Sequence, residues 1–189
     1  MLRPICISAL FAANAVASEP VAEFAGLWSE FIGFCGAALA APHSVGGDAR
    51  PRNGYSMFNA ARNSENTDWT VEHYNENAQT SLSLHLLHKR EGFELFCDAH
   101  QYKDSQIDPV SATQQIRGMV EAGGMSVTGG AYIFLEGHDQ TFAAEHSAAQ
   151  PHSLVVEGAF PGYNSAVHVN VDRNGFAISI YTSLPGAHS

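Results

Sequence analysis

Two cysteines constrain this chain more tightly than any other pair of residues. Between Pro20 and Ala41, Phe24, Trp28, Phe31, Cys35 and Leu39 recur at helical spacing. In the alternating segment from Phe93 to Ala99, Cys97 shares one face with Phe93, Leu95 and Ala99. Both sulfurs are therefore expected to turn inward, and a helix laid across a sheet would bring them together. A bond between Cys35 and Cys97 would contribute roughly 4 kcal/mol in the chain-entropy description of loop closure. The chain has no Cys-x-x-Cys pair, so the expectation is a structural staple and not a redox centre.

Such a bond persists only in an oxidising compartment, and the N-terminal residues predict one. Arg3 supplies a positive start, Ile5 to Ala13 form a short apolar run, and Ala15-Val16-Ala17 has the small-x-small pattern that a signal peptidase reads. The run is far shorter than the ~20 apolar residues of a bilayer span. The reading is a signal peptide over 1–17 and a single domain over 18–189, periplasmic or secreted. Cleavage would remove Cys6 and leave the two cysteines above. The sequence has no Asn-x-Ser/Thr acceptor site, which favours a bacterial envelope over a eukaryotic secretory route. No later segment is long and apolar enough to span a membrane.

Charge removes further classes. Lys and Arg total 9 against 19 acids in 189 residues, a formal charge of −10, and the bases are scattered. A nucleic-acid binder needs a basic stripe to displace counterions, and anionic lipid makes the same demand. The excess of Glu72, Glu76, Glu91, Glu94, Asp98, Asp104 and Asp108 supports solubility, or steering toward a cationic protein partner. A small ligand is the other partner class in view.

The order of patterns predicts an α+β fold, with a mainly antiparallel sheet packed by an N-terminal helix and a second, central helix. After the first helix, Pro42 to Ser56 reads as a loop and Met57 to Asn63 as a short helical turn. Trp69 to Tyr74, Ser81 to His88 and Phe93 to Tyr102 read as strands, the last two joined by the hairpin signal Lys89-Arg90-Glu91-Gly92. Asp108-Pro109 starts the central helix, whose buried stripe is read as Val110, Thr113, Ile116 and Val120. Gly123-Gly124 ends it, and the glycine-rich run through Gly130 is read as a stop and turn. Strands follow over Ala131 to Glu136, Ser153 to Phe160, Ser165 to Val171 and Gly175 to Ser183, with a polar stretch from His138 to Gln150. Two αβββ-like halves are compatible with this order, although no residue-level repeat demonstrates them. Trp28 and Trp69 are read as core.

Ten histidines make metal binding the chemistry to test first. His85 and His88 lie three apart, on opposite faces of a strand, and cannot clamp one ion together. Asp98 and His100 share a face with Glu94 and Phe96, and the neighbouring strand offers Ser83, His85 and Leu87. His85, Asp98 and His100 are thus the best metal set, for zinc or copper, or the best acid–base set. A second group, His138, Asp139, Glu145 and His146, lacks a metal-ligand spacing, and no His-Glu-x-x-His helix occurs. There is no Gly-x-Ser-x-Gly elbow, and the glycines after the central helix stand in the wrong order for a phosphate cradle. No cofactor is expected. The expectation is an exported, disulfide-stabilised binding or inhibitor-type protein without catalysis of its own, with a divalent-metal protein or metal-dependent enzyme as the alternative.

Overall fold

The computed structural model describes residues 19–41, 54–62, 68–89, 92–103, 107–129, 152–163 and 165–185. The leader expected over 1–17, most of the loop expected from Pro42, the strand expected over Ala131 to Glu136 and the group His138, Asp139, Glu145 and His146 lie outside these residues.

Helix α1 spans Glu19–Ala40 and buries Val21, Phe24, Leu27, Phe31, Cys35, Ala38 and Leu39 along one stripe. Proline at its second position lacks only an N–H that has no helical partner there. Four strands follow: β1 (Ser56–Arg62), β2 (Asp68–Asn75), β3 (Thr80–Lys89) and β4 (Gly92–Tyr102). Helix α2 (Pro109–Ala122) and β5 (Ser126–Gly129), β6 (Ser153–Glu157), β7 (Val167–Asp172) and β8 (Gly175–Pro185) complete the described chain. All eight strands form one antiparallel sheet in the order β1-β2-β3-β4-β8-β7-β6-β5.

The order has an approximate twofold symmetry. Each helix precedes a four-stranded meander, and the two meanders meet where β4 pairs with β8, with Asp98 opposite Ser179. Among the described residues the halves are therefore αββββ, where αβββ-like units were expected. Two segments differ from the sequence reading. Met57 to Asn63 is not a helical turn, because Ser56 to Arg62 pairs with β2 from Tyr74 to Trp69. Likewise, Ser126 to Gly129 does not belong to a turn, because it pairs with β6. Helical propensity in a short segment gives way when a neighbouring strand offers a ladder of backbone partners.

Both helices cover the same face of the sheet. Helix α1 lies on β3, β4 and β8, α2 lies on β5, β6 and β7, and the helices touch each other. Alternation sends Leu82, Leu84 and Leu86 of β3, Leu95 and Cys97 of β4, Ile178 and Ile180 of β8, and Val167 and Val169 of β7 into this layer, all buried. Phe24 meets Phe176 edge-on at 5.6 Å, and Phe31 lies 5.9 Å from Phe160. Trp28 and Trp69 pack against the same core. The Cys35 and Cys97 sulfurs are bonded at 1.95 Å, with Cα atoms 5.9 Å apart, which joins α1 to the middle of the sheet.

Helix α2 starts as expected, with the Asp108 carboxylate accepting from the Val110 N–H at 3.3 Å and Pro109 in the first turn. Its buried stripe is Ala112, Thr113, Ile116 and Val120. Val110 is 52% exposed, so the stripe begins at Ala112 instead. The difference arises because Ile107, just before the helix, is buried and fills the space at this end. Among the described residues, no helix is long and apolar enough to cross a membrane.

Candidate functional site

With both helices on one side, alternation leaves the other face of the sheet lined by polar and aromatic side chains. Register aligns them in rows. Glu72, Ser83 and Asp98 are opposite one another across β2, β3 and β4, and Tyr74, Ser81 and His100 form the next row. Strand β3 thus contributes two of the smallest polar side chains, while its neighbours contribute long ones. The result is a trough along β3, with Ser81 and Ser83 as its floor and Tyr102 extending the β4 wall. The concavity measures about 440 Å³. The row Thr70–His85–Phe96 closes one end, with larger side chains on all three strands.

Asp98 organises the β4 wall. It is buried, and one carboxylate oxygen accepts a short hydrogen bond from the Ser83 hydroxyl. The other oxygen lies 2.8 Å from His100 Nε2, which donates. His100 in turn stacks on Tyr102, with ring centroids 6.3 Å apart and planes 12° from parallel. On the β2 wall, the Tyr74 hydroxyl donates to Gln79 at 3.1 Å, which steadies that ring. Among the described residues, Glu72 makes no hydrogen bond or ion pair, and none that line the trough is Lys or Arg.

The expected set of His85, Asp98 and His100 is therefore brought together only in part. Asp98 and His100 are in contact. His85 belongs to the neighbouring row, where its Nδ1 lies 3.2 Å from Thr70 Oγ1 and its ring packs 6.0 Å from Phe96. Among the described residues, no three His, Cys, Asp or Glu side chains converge as ligands to one ion. A carboxylate–imidazole pair on one strand thus stands where three convergent donors were sought.

The same geometry bears on nucleophilic catalysis. A serine nucleophile needs an imidazole between its hydroxyl and the carboxylate, so that the imidazole can take the proton. Here the carboxylate is central, and Ser83 and His100 both donate to it. The arrangement fixes two side chains in place and provides no strong base for the serine. Elsewhere on this face, burial holds the His168 imidazole of β7 below its ordinary range. Tyr181 is pushed above its ordinary range, first by burial and then by the Glu94 carboxylate.

Sequence reasoning found Asp98, His100 and the neighbouring Ser83, but not Tyr74, Ser81 or Tyr102. The signal available was the Ser-Leu-Ser stretch from 81 to 83 between strands whose outward positions are large. Comparisons of the chain with protein-family models, with curated proteins and with solved structures found no match.

Proposed function

We propose that this is an exported, disulfide-stabilised binding protein without catalysis of its own, and that its ligand lies in the trough along β3. The observation that carries this reading is the shared carboxylate of Asp98. It locks one wall and the floor into a fixed shape and leaves the serine hydroxyl without an imidazole to activate it. A preformed concavity with a few fixed polar groups and aromatic walls is the usual form of a small-ligand site. Export is supported by the Cys35–Cys97 bond, which belongs in an oxidising compartment.

A fragment library screened by amide chemical shifts tests this reading. Hits are expected to cluster on Ser81, Ser83, Asp98 and His100, and to be lost in Ser81→Phe, which fills the floor at a residue with no hydrogen-bond partner among those described. Thermal unfolding of the variant would check that the fold is kept. Hits scattered over the surface, or turnover of an ester or glycoside that disappears in Ser83→Ala, would overturn it.

A further inference from the structure

Resting on that reading of the trough, we propose that its ligand is a small organic cation, with an ammonium or guanidinium group seated over Ser83. Glu72 and Asp98 flank this point in one row, each a single strand spacing away, so the two carboxylates bracket a site roughly 9–10 Å across. A group placed between them feels both charges. It also meets the Ser83 oxygen, which can accept while its hydrogen is committed to Asp98.

The balance of charge along the trough favours one sign of ligand. Asp98 is buried and fully engaged, with Ser83 and His100 as its donors. Glu72 is half-buried and has no partner among the described residues. A carboxylate partly withdrawn from water without a cation is an incomplete arrangement, and a ligand cation would complete it. Among the described residues, no lysine or arginine in the lining competes for that role. The aromatic walls serve the same class of ligand. Tyr74 stands beside Glu72 on β2, and Tyr102, 56% exposed, offers an apolar surface to an alkyl stem and a ring to a cation. An anionic ligand would face both carboxylates, with no lysine or arginine among the described lining residues to compensate. A neutral one would leave Glu72 as it stands.

The test uses the whole oxidised chain and three probes of similar length: agmatine as the cation, 1,4-butanediol as the neutral probe and glutarate as the anion. Amide shifts are followed for each. Agmatine is expected to perturb Ser81, Ser83 and Asp98. Its binding should weaken about tenfold in Glu72→Gln, which keeps the shape of the wall and removes its charge. Raising the salt to about 1 M should weaken it further, and Glu157→Gln, on the open face of the other half, should leave it unchanged. Equal or tighter binding of butanediol or glutarate in the trough, or agmatine binding that ignores Glu72→Gln, overturns the cation and leaves the binding reading standing. If none of the three probes moves the trough residues, and the fragment screen also leaves them silent, both readings fall together.

Discussion

Cys35 of α1 and Cys97 of β4 are bonded, and both are fully buried under the first helix. A reductant can reach these sulfurs only when α1 lifts or the domain unfolds. Under native conditions the bond should therefore resist dithiothreitol, and it should open once denaturant is added. Cys35→Ala with Cys97→Ala is expected to lower stability by about 2–5 kcal/mol in chemical unfolding. The intact protein should also have a mass two hydrogens below that of the reduced chain.

Gly175 begins β8 at φ +151°, and a Cβ placed there would stand 1.8 Å from the Gln101 carbonyl oxygen. Backbone cannot yield as a flexible side chain can, so Gly175→Ala should cost well over 2 kcal/mol. Gly158 provides the comparison. Its φ is +84°, with nothing within 4 Å of a Cβ, so Gly158→Ala should cost about 1 kcal/mol, from conformation alone. Similar losses from the two would contradict the close approach of β8 to β4.

Asp98 should show a graded response in thermal unfolding. Asp98→Ala removes the acceptor shared by the Ser83 hydroxyl and by His100, whose side chain is 38% exposed and can turn to water, and is expected to cost about 1–3 kcal/mol. Asp98→Asn retains an acceptor for Ser83, and the other imidazole tautomer can accept from the new amide. It should cost distinctly less.

The direction of the His168 shift predicts how stability responds to acid. Burial holds its imidazole below the ordinary value of 6.5, so the native state stays neutral where the unfolded chain already takes up a proton. The contribution of this residue is complete above about pH 6.5. It declines as the pH falls below that value, until the native imidazole is itself protonated. In His168→Gln, the fall in stability between about pH 7 and pH 5 should be shallower than in the parent, by denaturant unfolding at each pH.

N-terminal sequencing of the protein from its native compartment should begin at Ser18. An intact Met1 would remove the argument for export.

The elements that were legible in the sequence are those whose pattern is set by burial. The α1 stripe, the alternation of β3 and β4 and the Asp108-Pro109 start all appear where their residue types demand, and a turn over Asp172-Arg173-Asn174-Gly175 joins β7 to β8. Asn174 N–H donates to the Asp172 carboxylate within that turn. What escaped were the outermost strands, β1 and β5. An edge strand has a ladder on one side only, and its residues carry a weaker alternation for that reason. The site was legible only as far as single strands allow. Asp98 and His100 share a strand, and their contact follows from spacing of two. The trough depends on three strands in register, with serines between larger neighbours, and register across strands is set by tertiary pairing.

The twofold relation that exchanges Asp98 with Ser179 also carries Ser83 onto His168, Ser81 onto Ala166, Glu72 onto Val155 and Tyr74 onto Glu157. The floor serine at 83 thus answers to an imidazole in the other half, and the Glu72 carboxylate to the apolar Val155. The carboxylate-flanked serine of one half therefore has no like-for-like counterpart in the other. Exchanging Ser83 with His168 would place the small side chain in the opposite half and the imidazole in this one, on the same scaffold.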